Sequence, residues 1–200
     1  MIINLPRGVL ELFRFASKDD SRRNLQVIHI DKVTDLENGD RLRAAATDGH
    51  RLTTYVWKPG EGFSEIPDEI FLDSERCKAA LKGAKKTTNF ELITETTTIK
   101  TSEGLTIEAL NDYTNQYPDI DQVIPKEFED KSDSKIGFNV RYLVEVQQYL
   151  DKVVEREKGY DTHLQVELNI KDDLSPMLLI PKKTDYLGAE IQFIVMPVRV

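Results

Sequence analysis

The chain has 200 residues, 40% hydrophobic and 31% charged, with a formal charge of −8; this is an ordinary globular composition, enough for one domain or two small ones, and it excludes disorder and collagen-like repetition. No run approaches the roughly 20 apolar residues of a membrane helix and the first residues lack the basic-then-apolar order of a secretory signal, so the expected compartment is the cytoplasm. A single cysteine, Cys77, excludes an internal disulfide, and His29, His50 and His163 have no metal-ligand spacing, so neither a metal nor another cofactor is expected.

Hydrophobic periodicity predicts an α+β chain of three segments with one grammar: a short extended start, a helix, then about three strands. In the first, Ile2-Ile3 is the start and Val9, Leu12, Phe13 and Ala16 recur at helical spacing after Pro6. Strands follow at Leu25 to Val33, Leu42 to Thr47 and Leu52 to Trp57, with Asn38-Gly39 and Asp48-Gly49 as turn signals. Pro59, Gly60, Gly62 and Pro67 punctuate a linker to the second segment, which starts at Glu69 to Leu72, with Asp73-Ser74 as helix cap. Its helix places Cys77, Ala80, Leu81 and Ala84 on one face, where Cys77 reads as core packing. Its strands are Asn89 to Thr94, Thr97 to Thr101 and Leu105 to Leu110, with Glu103-Gly104 in the last turn.

From Asn111 to Ser134 the chain is polar and proline-bearing, with Tyr117 to Pro125 as an extended connector and Lys126 to Lys135 as a charged run. This is the expected domain boundary. The third segment starts at Lys135 to Phe138, has a helix with Leu143, Val146, Leu150, Val153 and Val154 on its apolar face, and continues through the alternating Leu164, Val166, Leu168 and Ile170 to strands at Met177 to Ile180 and Ile191 to Val200.

Charge is unevenly distributed. The helical windows 6–23, 74–86 and 139–158 hold fourteen basic and eight acidic residues, a net +6, which leaves −14 on the remainder. Arg7, Arg14, Lys18, Arg22, Arg23, Arg76, Lys78, Lys82, Lys85, Lys86, Arg141 and Lys152 would line a surface that meets phosphates, with an acidic sheet outside. On charge alone the same residues equally describe solvated helix faces.

The stretch Ala46-Thr47-Asp48-Gly49-His50-Arg51-Leu52 resembles the signature of the middle domain of the bacterial sliding clamp, the β subunit of DNA polymerase III. Three further stretches resemble that family in the same order: Tyr117 to Lys126, like the connector between its middle and last domains; Ile136 to Leu143, like the start of a last-domain helix; and Phe193-Ile194-Val195-Met196-Pro197-Val198-Arg199-Val200, like its C-terminal strand and tail. The resemblance implies the DNA-clamp fold, with residues 1–125 as a middle domain (units 1–60 and 68–112, connector 113–125) and 135–200 as half of a last domain. The family's first domain has no counterpart. A family ring contains twelve units, so a ring of this chain alone would take four copies.

In the family, a groove between the middle and last domains binds short linear peptides of polymerases and repair proteins. The resemblance places Thr47, Gly49, His50, Arg51 and Leu52 on one wall, Pro118 and Val123 beneath, and Ile194, Met196, Pro197, Val198, Arg199 and Val200 opposite. An apolar slot with a flexible methionine suits leucine and aromatic anchors, while an arginine and backbone groups fix register. Gln122 stands where the family commonly has a basic residue, and Asp121 adds negative charge. The implied partners are duplex DNA, held through its backbone, and peptide-bearing polymerase or repair proteins, with the chain as a homo-oligomer. The alternative is a clamp-derived module that binds such peptides without encircling DNA. Asp48 and His50 have no nucleophile at a readable spacing, so Asp48-Gly49 reads as a turn and no enzymatic chemistry is expected.

Overall fold

The computed structural model describes residues 1–35, 39–110, 117–124, 138–153, 166–170, 175–181 and 190–197. Asn38, the run Lys126 to Lys135, Ile136-Gly137, Val154, Leu164, Val198, Arg199 and Val200 lie outside them. The first part of the chain forms β1 (Ile2–Asn4), α1 (Arg7–Glu11), β2 (Val27–Asp35), β3 (Gly39–Thr47) and β4 (Arg51–Trp57). The second forms β5 (Glu69–Asp73), α2 (Ser74–Leu81), β6 (Phe90–Ile93), β7 (Thr98–Thr101) and β8 (Thr106–Glu108). After the connector come α3 (Arg141–Val153), β9 (Val166–Asn169), β10 (Met177–Pro181) and β11 (Glu190–Val195).

The strands make two sheets, one of four in the order β1-β6-β7-β8 and one of seven in the order β5-β2-β3-β4-β11-β10-β9. The two extended starts have exchanged sheets: β1 pairs with β6, and β5 pairs with β2. The larger sheet runs without a break from β4 into β11, with Leu52 opposite Ile194 and Arg51 opposite Val195. It therefore crosses the boundary expected between the middle domain and the half domain.

Alternation assigns each strand residue to a face. On one face Ile28, Ile30, Leu42, Ala44, Ala46, Tyr55, Trp57, Phe193 and Leu179 join Val9, Leu10 and Leu12, Cys77 and Ala80 of α2, and Val146, Tyr149 and Leu150 of α3 in the main core. α1 lies between α2 and α3. Gly8 permits its close approach: a Cβ built there would sit 2.4 Å from Tyr55 Cε2. The Gly8 carbonyl accepts a buried 2.9 Å hydrogen bond from the Tyr149 hydroxyl of α3. Asp73 caps α2 by accepting from the Arg76 backbone N–H, as its position predicts. Burial, with Asp73 nearby, pushes the Cys77 thiol up, so the residue serves as packing.

The helix expected across Val9 to Ala16 is shorter than its periodicity suggests. α1 gives way to a 3-10 turn at Leu12–Arg14, and a second 3-10 segment covers Asp20–Leu25, begun by Asp19, whose carboxylate accepts from Ser21 N–H.

The other face of the larger sheet carries a smaller core of Ala45, Leu52, Ile120, Leu178 and Ile194. Its cover is the connector. The sequence predicts an extended connector, but at Ile120–Gln122 it turns into a 3-10 segment, because the Asp119 carboxylate accepts from Asp121 N–H. That turn drives Ile120 into the sheet. The Tyr117 hydroxyl donates to the Ala45 carbonyl at 3.1 Å, and its ring packs 4.8 Å from His29, which stacks on Phe71. Arg43 is gripped by Asp31 from the sheet and Asp121 from the connector, with Nε 3.0 Å from Asp31 Oδ1. Burial opposes the charge on Arg43, but the two hydrogen-bonded carboxylates outweigh it and raise its pKa.

Two predictions concern this packing. Gly8→Ala forces Tyr55 and α1 apart and should cost roughly 1–3 kcal/mol, a Tm lower by several degrees in calorimetry; an unchanged Tm would contradict the close approach. His29 is held neutral, because burial outweighs the attraction of Asp31 and Glu69 and lowers its pKa from 6.5. The unfolded chain then binds more protons than the folded one as pH falls through the ordinary histidine range, so stability is full above that range and declines on acidification. Tm against pH should therefore fall below about pH 6.5, and His29→Phe should flatten that part of the profile.

Candidate functional site: a pocket on the outer face

One end of the smaller core opens into a pocket of about 220 Å³ lined by Leu25, Thr47, Gly49, Arg51, Leu52, Pro118, Ile120, Val123, Ile194 and Met196. It is smaller than the roughly 300–1,000 Å³ of sites for drug-sized ligands, and its walls are apolar, so it suits side chains of a partner better than a charged small molecule.

Each wall follows from local chemistry. The Asp48-Gly49 turn is set by glycine at φ +87° and by two side chains. Asp48 accepts from the His50 and Arg51 N–H groups at 3.0 and 3.2 Å. Thr47 Oγ1 accepts from Gly49 N–H at 3.0 Å and donates to the Arg51 carbonyl at 2.7 Å. These bonds occupy the polar groups of the turn and leave its apolar atoms to the pocket. β11 supplies Ile194 and ends at Val195; the next residue, Met196, is tied to the turn by its N–H, which donates to the His50 carbonyl at 3.0 Å. The connector supplies Pro118, Ile120 and Val123, held by the Arg43 and Tyr117 contacts.

Of the residues expected in the groove, Thr47, Gly49, Arg51, Leu52, Pro118, Val123, Ile194 and Met196 come together here. His50 is exposed on the turn and Pro197 follows Met196, neither of them lining the pocket, and Val198, Arg199 and Val200 lie outside the described residues. Leu25 and Ile120 line the pocket without being among the expected residues. Ile120 has a signal in the sequence, since it is the lone large aliphatic between Pro118 and Val123; Leu25 is brought in by the 3-10 segment, which periodicity does not foretell.

Two arginines differ from expectation. Arg51 touches the pocket, but its guanidinium turns away to the helices, where it pairs with Asp48 and Glu145, donates to the Arg14 carbonyl at 3.0 Å, and lies over the rings of Phe15 and Tyr142. Its charge is committed within the fold. Arg22, expected on a helix face with the DNA-facing group, instead donates to the Asp48 carbonyl at 3.0 Å beside Gly49. The reason is the non-helical backbone at Arg22, which bends the segment toward the turn. Asp121, expected to add charge near the groove, is paired with Arg43.

The other basic residues spread over the helix layer. Arg7 and Arg14 flank the buried Glu11, 3.5 and 3.0 Å from its carboxylate. Lys78 pairs with Glu75, and Arg141 lies 3.4 Å from Glu145. Arg76 and Lys152 are exposed on α2 and α3. Lys82, Lys85 and Lys86, expected on the second helix together with Ala84, lie beyond its end at Leu81, where Lys82 turns extended, and are exposed in the loop that follows; Lys18 and Arg23 are exposed after α1. Among the described residues no group of histidine, cysteine and acidic side chains could hold a metal ion, and no helix is long and apolar enough to cross a membrane.

No protein-family model and no curated protein sequence matches the chain. Solved structures do. The chain superimposes along its whole length on the DNA polymerase III beta protein of Caulobacter crescentus, at 19% identity and a TM-score of 0.72, covering 66% of that chain. The DNA polymerase sliding clamp of Pseudomonas aeruginosa gives 17% identity and a TM-score of 0.73 over 67% of its chain. For the DNA polymerase III beta subunit of Thermotoga maritima the values are 17%, 0.67 and 66%. Along its full length the chain thus has the fold of bacterial DNA polymerase III beta sliding clamps, and it spans about two thirds of the length of those it matches.

Proposed function

We propose that this protein is a sliding-clamp-like processivity factor that tethers replication or repair proteins to duplex DNA. The observation that carries the reading is the separation of two surfaces by one sheet. The helix layer, with Arg76 and Lys152 exposed on its helices and Lys82, Lys85 and Lys86 exposed in the loop after α2, lies on one face, and the apolar pocket lies on the other. A ring needs both. Its inner surface holds phosphates weakly and without sequence preference, so that it slides, and its outer surface holds a partner's peptide.

The element order fits three helix-plus-strands units, read as a middle domain over residues 1–125 and half of a last domain over 135–200. Four copies would supply the twelve units of a ring. In the pocket, Leu25, Leu52, Ile120, Val123 and Ile194 receive leucine and aromatic anchors while Met196 adapts to their shape. With Arg51 committed internally, Arg22 is, among the described residues, the arginine placed to meet an approaching peptide. No bond is made or broken in this mechanism.

A second reading draws on described residues of a single chain, one that spans two thirds of a clamp, forming the pocket by themselves. It makes the protein a peptide-binding module or regulator that does not encircle DNA, with no dependence on the basic helices.

Two variants separate the surfaces. Met196→Asp with Val123→Asp should weaken binding of a synthetic peptide carrying leucine and phenylalanine anchors more than tenfold by fluorescence anisotropy, with DNA binding unchanged. Lys82→Glu with Lys86→Glu should leave peptide binding intact and weaken duplex DNA binding equally for all sequences, with a salt dependence shallower by about one for each phosphate no longer neutralised. Undiminished peptide affinity in the first would refute the pocket assignment. Undiminished DNA binding in the second would refute the helix assignment and leave the module reading.

A further inference from the structure

The connector that walls the pocket is seated on a histidine. His29 of β2 lies on the outer face of the larger sheet, opposite Ala45 of β3, and is 6% exposed. Its imidazole packs against two rings, Phe71 of β5 and Tyr117 of the connector, each with its centroid 4.8 Å away. Tyr117 reaches across to the neighbouring strand, where its hydroxyl donates to the carbonyl of Ala45, the residue paired with His29. The two ring nitrogens differ. Nε2 lies 3.1 Å from Glu69 Oε1, so the neutral ring carries its proton there and donates it to the carboxylate. Nδ1 is buried and has no hydrogen-bond partner among the described residues.

This seat suits the neutral imidazole alone. A second proton must go to Nδ1, where it becomes a buried donor on a charged ring with nothing to accept it. The charges that face the ring do not offset that cost. Glu69 of β5 is 61% exposed, so water screens it. Asp31, on the same strand as His29, is engaged by Arg43 of β3, whose own charge opposes a cation nearby, and Asp121 of the connector is likewise spent on Arg43. Lifting Tyr117 admits water, which accepts from the charged ring. We propose that His29 is an acid-sensitive catch for the connector: while the imidazole is neutral Tyr117 stays seated, and a proton on Nδ1 unseats it together with the pocket wall of Pro118, Ile120 and Val123. The unseated state binds one proton more than the seated one, so it gains as pH falls through the histidine range, by at most about tenfold per pH unit. Burial, the largest influence on His29, lowers its pKa and so acts in the same direction. The consequence for peptides rests on the pocket reading above, whereas the catch itself does not.

The test is a titration of the full chain from about pH 7.5 to about pH 5.5, a range in which carboxylates of ordinary pKa stay ionised. Tyr117 is followed by NMR of carbon-13-labelled tyrosine, and the integrity of the main core by emission of Trp57, the single tryptophan, which lies on the other face of the sheet. Peptide affinity is measured by fluorescence anisotropy with a capped peptide that has leucine and phenylalanine anchors and no titratable group. In the wild type the Tyr117 ring should move to a solvent-like shift, and affinity should weaken along the same curve by about fivefold or more, at constant Trp57 emission. His29→Phe should hold both curves flat. Tyr117→Phe, which forfeits only the bond to the Ala45 carbonyl, should move both midpoints to higher pH, and it keeps the test decisive should His29→Phe fail to fold. His50→Gln, which alters the exposed histidine beside the pocket, should leave both curves as in the wild type. A Tyr117 ring that stays seated across the range would overturn the proposal. So would a pH dependence that survives in His29→Phe, disappears in His50→Gln, or keeps its midpoint in Tyr117→Phe. A chain that binds no peptide at any pH refutes the pocket reading instead, and the Tyr117 curve then decides on the catch by itself.

Discussion

Arg51 is held from three sides, and through it the helix layer fixes the shape of the outer pocket. Its backbone belongs to β4 at the foot of the Asp48-Gly49 turn, where its carbonyl and N–H engage Thr47 and Asp48. Its guanidinium passes to the other face of the sheet, between the rings of Phe15 and Tyr142, to reach Glu145 of α3 and the carbonyl of Arg14. Such a largely buried charge is tolerated because the carboxylates of Asp48 and Glu145 pair with it and are themselves partly withdrawn from water. A shift of α3 relative to α1 therefore pulls on the turn that walls the pocket. The close contact of Gly8 with Tyr55 and the Tyr149 bond to the Gly8 carbonyl hold the same helices from the other end.

The sheet between these layers is packed on both sides, which explains the run Ala44-Ala45-Ala46. Ala44 and Ala46 lie in the main core and Ala45 in the smaller one. Small side chains at the centre let the helices approach one face and the connector the other. The connector is fixed by Tyr117 on the Ala45 carbonyl, Ile120 in the smaller core and Asp121 on Arg43. Negative charge in this stretch, which in isolation would disfavour an acidic partner, is taken up in docking.

Much of this is legible in the sequence because it depends on local chemistry. Glycine at a tight turn, alternation along Leu42 to Trp57, and Asp73 ahead of α2 each specify structure within a few residues. The pocket wall formed by the turn, Pro118, Val123, Ile194 and Met196 is legible through resemblance of short motifs, since residues with no local signal of proximity converge there. Three features are not legible. The exchange of β1 and β5 between sheets depends on pairing across some ninety residues, as in Ile2 with Ile93, and a three-residue strand carries no information about its partner. Leu25, expected at the start of a strand, and Arg22, expected on a helix face, reach the turn because residues 20–25 form a 3-10 segment, begun by the Asp19 cap and bent at Arg22. The inward course of the Arg51 side chain depends on Glu145, almost a hundred residues away in sequence.

The most direct test of a topological tether is retention on DNA of two shapes. Chain assembled on a nicked circular duplex at physiological salt is passed over a gel-filtration column before and after the circle is cut once. A protein that encloses DNA stays with the circle and is lost from the linear form, whose ends let it slide away. Equal retention on both, or release from both, would contradict enclosure of the duplex.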